Sequence, residues 1–198
     1  MIRRGWHATR RDADGDRQPA PRAELLLHAY AQDCLVTGLI EVADERLTDV
    51  LGARPAIELR DAELIALDDE RALRLPSIVI PREELLVVAA TGPRGSAARR
   101  VRTSPHPVIV GVGPYVVAGC VHALPAADPV QAALRRALIP VTDATIRRES
   151  PAGMVEDCWE AVIVNRQHVS WLQSTEDPRW ALARASGFVA RPGRLSAR

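Results

Sequence analysis

"VIVGVGPYVVAGCVHAL", Val108 to Leu124, carries no charged side chain, and the uncharged run extends from Thr103 to Ala127 when His106 and His122 are neutral. Its reading decides the fold, because a run of that length either crosses a bilayer as a helix or folds as sheet inside a water-exposed body. Gly111, Gly113 and Pro114 interrupt it. In a helix interior glycine costs about 1 kcal/mol and proline about 3 kcal/mol relative to alanine, whereas a Gly-Pro step suits a turn. The run therefore predicts a β-hairpin with arms "VIVGV" and "YVVAGCVHAL", apolar because both faces are covered or because an interface hides one. No membrane span is expected.

Composition sets the outer bounds. A chain of 198 residues that is 47% hydrophobic can bury a sizeable core, and with 4% aromatic residues that core rests on Val, Leu, Ile and Ala. All 26 basic residues are arginine, which with abundant Ala, Pro and Gly reads as codon bias of a GC-rich bacterial genome. A net charge of +1 excludes a polycation, although arginines gather in the N-terminal arm, in 94–102 and near the C-terminus. Cys34, Cys120 and Cys158 are odd in number and lack framework spacing, so a reducing, cytoplasmic location is expected. The N-terminus is basic with no apolar stretch behind it and reads as a disordered arm over residues 1–23.

The chain reads as an internal duplication. When Cys34–Leu64 is set above Tyr115–Ile146, Gly38 falls on Gly119, Leu51 on Leu134, Ile57 on Ile139 and Asp61-Ala62 on Asp143-Ala144. Farther on, "SIVIPREELLVV" (Ser77–Val88) meets "AVIVNRQHVSWL" (Ala161–Leu172), with Arg82 on Arg166. Three unlike features thus recur in one order. The expected organisation is a β-rich repeat over 24–90, a Gly-, Pro- and Arg-rich linker over 91–105, a second repeat over 106–173, and a tail over 174–198 with a short helix around Trp180–Ala185. In the first repeat the stretch matching the apolar run contains Asp33 and Glu41, which also argues against a membrane span.

Within each repeat, short strands surround one helix. "ERLTDVL" (Glu45–Leu51) and "DPVQAALRRAL" (Asp128–Leu138) place apolar residues at i, i+3 and i+4, and Asp128 and Pro129 fit the N-cap and first helical position. After the helix, period-two alternation puts Ile57, Leu59 and Asp61 on one strand face. The expected fold class is mainly β (α+β): two tandem small antiparallel β-barrel or sandwich-like domains, each with one short helix, packed as a pseudo-twofold pair. About 65 residues is marginal for a separate core, so the repeats should share apolar surface.

The order of Gly, a short Leu- and Asp-containing helix, "PVTDA" (Pro140–Ala144) and "VIVNR" (Val162–Arg166) resembles a small uncharacterised bacterial domain family with Leu-Thr-Asp-Ala and Val-Asn-Lys or Val-Asn-Arg blocks. The first repeat departs from it, with "ELRDA" and with Pro81 where the second has Asn165. The resemblance covers about two thirds of the chain. It implies a fold and brings no activity or site residues.

Asp61 and Asp143 recur and tempt a catalytic reading, yet an Asp beside Ala in a strand more often fixes a turn through backbone bonds. Arg82 and Arg166, at the ends of apolar strands, are expected to pair with those aspartates. Cys120, His122, Cys158 and His168 are ligand types that suit zinc, but their spacing matches no known finger, and no metal or other cofactor is expected. No phosphate loop, zinc-protease helix or nucleophile elbow is present. The favoured function is a non-enzymatic interaction or scaffold module that binds a protein partner or its own copy through an apolar sheet face. A second reading is a nucleic-acid-associated protein using the arginine-rich arms with Trp6 and Trp180. A third is a ligand binder or enzyme with a site between the repeats, drawing on Asp143, Arg166 and His168.

Overall fold

The structure, a computed structural model, describes residues 23–43, 46–91 and 102–177. The basic arm up to residue 22, the linker core over 92–101 and the helix expected around Trp180–Ala185 lie outside the described residues. The first half contains β1 (Ala23–Tyr30), β2 (Cys34–Val42), α1 (Leu47–Ala53), β3 (Ala56–Ala66), β4 (Ala72–Pro81), a 3-10 turn (Arg82–Glu84) and β5 (Val87–Thr91). The second half repeats that order: β6 (Ser104–Val112), β7 (Tyr115–Ala123), α2 (Pro129–Leu134), β8 (Leu138–Ser150), β9 (Gly153–Asn165), a 3-10 turn (Arg166–His168) and β10 (Val169–Ser174). Strands begin or end one or two residues inside the expected linker, since Thr91 belongs to β5 and Ser104 to β6.

The apolar run is a hairpin. β6 and β7 pair antiparallel across Gly113-Pro114, with Gly113 at φ +53°. Both faces are buried within the chain: Val108, Val110, Val112, Tyr115 and Val117 enter the main core, while Ile109, Val116 and Ala118 form a second layer beside Trp171. Trp171 lies so close over Gly111 that a Cβ there would stand 2.2 Å from the indole nitrogen. No helix among the described residues is long and apolar enough to cross a membrane.

All ten strands join one antiparallel sheet in the order β10-β6-β7-β8-β9-β5-β1-β2-β3-β4. Two small barrel- or sandwich-like domains sharing apolar surface were the expectation, and the strands instead form one sheet that stays open, ending at β10 and β4. Each half has the same internal order, fifth strand, first, second, third, fourth. Flat sheet would hold the fourth and fifth strands of a half roughly 19 Å apart. The short connector containing the 3-10 turn reaches about 15 Å, so each half curls without closing. The halves meet through unlike edges, β5 of the first against β9 of the second. That contact corrects the expected twofold, which would join like edges.

The repeated Gly and Asp-Ala signals form one device. In β2–β3 the register shifts between Thr37 and Leu39 opposite Glu63 and Arg60, and in β7–β8 between Ala118 and Cys120 opposite Thr145 and Thr142. Each shift is a β-bulge in which Asp61 (φ +48°) or Asp143 (φ +50°) is the extra residue in left-handed backbone, a conformation Asp tolerates better than most. Gly38 and Gly119 sit opposite, where the bulged strand comes too close for a side chain. The bulge moves the alternation by one: Ile57, Leu59 and then Ala62 are buried, as are Ile139, Val141 and then Ala144. Asp61 is therefore exposed rather than on the buried face with Ile57 and Leu59.

α1 ends at Ala53, two residues beyond its periodic pattern, whereas α2 is shorter than its pattern. Asp128 caps α2, accepting from the Val130 and Gln131 N–H groups at 2.8 and 3.1 Å. α2 ends at Leu134, and Leu138 opens β8 instead.

Candidate functional site

Two features stand out from ordinary core: the joint between the halves, and the two sheet edges left open. At the joint, Val87, Val88 and Ala89 of β5 pair with Val164, Ile163 and Val162 of β9, and all six are buried. Strands apolar on both faces belong in the middle of a sheet, and "LLVVAA" and "AVIV" supply them. Asn165, the one polar residue buried among those described, extends the ladder. Its backbone N–H donates to Leu86 O at 2.9 Å, and its side-chain amide donates to Leu85 O at 3.0 Å and Arg82 O at 3.4 Å. His168 Nε2 reaches Glu83 O.

A polar and aromatic cluster locks the same joint farther along. Tyr30 OH donates to Asp157 Oδ2 at 3.0 Å and accepts from Trp159 Nε1 at 2.9 Å. The Trp159 ring lies 4.6 Å from the His28 ring, and Tyr30 meets Tyr115 edge to face at 5.4 Å. Tyr115 OH crosses the joint to Ala31 O at 2.8 Å. Burial, then the neighbouring Asp157 carboxylate, pushes the Tyr30 phenol well above its usual range, so it stays a neutral donor. Burial lowers the His28 pKa, with Asp157 opposing. Cys34 nearby is pushed up to about 11, by burial first and Asp33 second.

The sequence-derived candidates do not converge. Asp143 is exposed in its bulge, five residues along β8 from Leu138, whose cross-strand partner is Asn165. At about 3.3 Å per residue, Asp143 stands roughly 17 Å from the strand end that carries Arg166 and His168. Arg82 reaches the carbonyl of Gly52 at 3.1 Å rather than Asp61. His122 bonds the Thr142 hydroxyl at 3.0 Å, His168 lies at the joint, and among the described residues no group of three potential metal ligands forms.

At the joint the void lined by Leu51, Arg82, Leu85, Val88, Leu138, Ile163 and Asn165 measures about 10 Å³, room for one water at most. Two surface concavities of about 510 and 500 Å³ flank β2–β3, one beside Glu41, Arg54 and Arg60, the other beside Asp61, Glu63 and Arg74. Neither includes Asp143, Arg166 or His168.

The open edges differ from the joint in burial. β4 leaves Val79 63% and Leu73 53% exposed, and β10 leaves Trp171 and Leu172 half-buried. Comparison of the chain with protein-family models, with curated proteins and with solved structures finds no match. Of the joint residues, the sequence singled out His168 as a binding candidate and Asn165 only as a difference from Pro81. The remaining signal was the placement of both tyrosines: in a chain with two, each sits next to the turn of the first hairpin of its half.

Proposed function

We propose that this chain is a non-enzymatic protein-interaction module, made by tandem duplication of one five-stranded unit, that binds protein through its open sheet edges. The carrying observation is β4, an edge strand that presents Val79 and Leu73 to solvent. Soluble proteins usually blunt an edge with charge, proline or cover; β4 carries Arg74, Pro76 and Pro81, but its run Ser77–Ile80 holds none of these, and an apolar edge segment recruits another strand. The apolar hairpin β6–β7, the first candidate for a partner surface, is spent on the chain's own core, so the reading moves from a sheet face to the edges. The matched order of elements, the two equivalent bulges and the Gly and Asp-Ala pairs support the duplication. A cytoplasmic location fits the three unpaired cysteines.

The test is a photoreactive residue placed at Val79 in cells, with the same residue at exposed Glu149 of β8 as control. The expected result is a covalent adduct to a polypeptide from position 79 alone. Equal labelling from both positions, or none from 79, overturns the edge reading.

A further inference from the structure

We infer that the chain assembles head to tail, the β10 edge of one copy pairing antiparallel with the β4 edge of the next in the register that β5 and β9 use inside the chain. This rests on the edge reading above and names its partner as a second copy. The strand registers make β10 the counterpart of β5 and β4 the counterpart of β9, so that Trp171, Leu172 and Gln173 stand where Val87, Val88 and Ala89 stand, and Ile78, Val79 and Ile80 where Val162, Ile163 and Val164 stand. Each molecule thus carries both halves of a contact it already makes once within itself. The new joint sets Leu172 opposite Val79 of the next copy.

Burial follows the same correspondence. Ile163 is 7% exposed beneath β5, and its counterpart Val79 is 63% exposed. Leu51 of α1 is buried beside Leu138, Ile163 and Asn165 of the second half, while its counterpart Leu134 of α2, which packs toward β10, stays half-buried. The apolar side chains left open are those the internal joint covers.

The chemistry on the two sides of the contact also changes together. Inside the chain, Asp157 and Trp159 of β9 meet Tyr30 and His28 of β1. Their counterparts on β4 are Leu73 and Leu75, and those on β6 are Gly111, roofed by Trp171, and Ile109. A polar pair of surfaces becomes an apolar pair.

The turns at the strand ends select the direction. The internal joint brings the turn Arg82-Glu83-Glu84 against Arg166-Gln167-His168, and a head-to-tail joint brings together the same two turns with their places exchanged. Pairing β4 with β4, antiparallel and centred on the strand, would instead leave each copy's 3-10 turn beside the start of the other's β4, with no second turn to meet. Pro81 replaces Asn165 and has no N–H, so the bond to Leu86 O and the side-chain amide bonds have no equivalent. The joint between copies is therefore weaker than the internal one, and assembly is reversible and concentration-dependent. Because the contact joins unlike edges it leaves a free edge at each end, so it closes into a ring or continues as a fibre.

Sedimentation of the purified full chain from micromolar to millimolar concentration tests this, with Val79→Glu and Leu172→Glu as single-edge variants and Gln173→Glu, at an exposed position, as a second β10-edge variant should Leu172→Glu melt early. The wild type is expected to grow beyond dimer. Each variant alone is expected to stay monomeric, and a β4-edge variant mixed with a β10-edge variant to give a one-to-one dimer and nothing larger, since only one good joint remains. A wild type that stays monomeric throughout overturns the inference, as does a β10-edge variant that assembles like wild type. A monomeric wild type whose position 79 still cross-links to another protein sinks head-to-tail assembly and leaves the edge reading standing.

Discussion

Replacing Gly119 by alanine tests the bulge that both halves share. A Cβ at that position would stand 2.7 Å from Thr142 O, 2.7 Å from Val141 Cγ1 and 3.2 Å from Ala144 Cα. The first of these is backbone and cannot rotate away, and β8 is held between β7 and β9, so relief requires a paired strand to shift. Overpacking of this kind costs about 1–3 kcal/mol, and the stiffer unfolded chain returns about 0.4–1 kcal/mol. The net loss is about 1–2 kcal/mol, or roughly 2–8 °C in Tm for a chain of this size. Gly38→Ala faces Leu59 Cβ at 2.9 Å and Arg60 O at 3.0 Å on β3, a looser fit against a strand whose other neighbour is the edge strand β4, and should lose less. Gly52→Ala, in α1 with nothing within 4 Å, should gain about 0.5–1 kcal/mol. Thermal and urea unfolding of the three variants should rank them in that order. A Gly119→Ala protein as stable as wild type, or less affected than Gly38→Ala, would refute the close-approach account.

Asn165→Ala strips the donors from Arg82 O and Leu85 O at a buried site and should cost about 2–3 kcal/mol, read as a lower urea midpoint. Cys158 is exposed, whereas the Cys34 thiol is pushed up to about 11, so a disulfide reagent near neutral pH should label Cys158 first and Cys34 last; faster labelling of Cys34 would contradict its setting. Burial holds the His28 pKa below 6.5, so the unfolded chain binds the proton more readily; the stability this confers is present above pH 6.5 and is lost as pH falls through the folded value. Urea midpoints on either side of pH 6.5 should show that decline in the wild type and less of it in His28→Gln.

The repeated order of Gly and Asp-Ala is readable in the residues because each member answers a local backbone need of the bulge that both halves meet in the same way. The hairpin in the uncharged run is likewise local, set by Gly113-Pro114. The phase change at Asp61 and Asp143 escapes a period-two reading because the extra residue of a bulge looks like one more step of alternation. Which strand accepts β5 is not local at all. Val87, Val88 and Ala89 are apolar on both faces and announce burial, but nothing in them distinguishes β9 from β4, and the direction of the joint rests on tertiary fit at Asn165, Tyr30 and Tyr115. The candidates Asp143, Arg166 and His168 fail to meet because alignment puts residues in equivalent places, not in neighbouring ones.

The late arrival of β9 matters during synthesis. β5 leaves the ribosome with β1 already available on one side, but the strand that protects its other side is finished about 70 residues later, which at cellular elongation rates is roughly 4–15 s. Throughout that interval the nascent chain displays a sticky valine-rich ribbon, so a slow stretch of codons between the halves should raise the toll of misassembly, and trigger-type chaperones should matter most in that window.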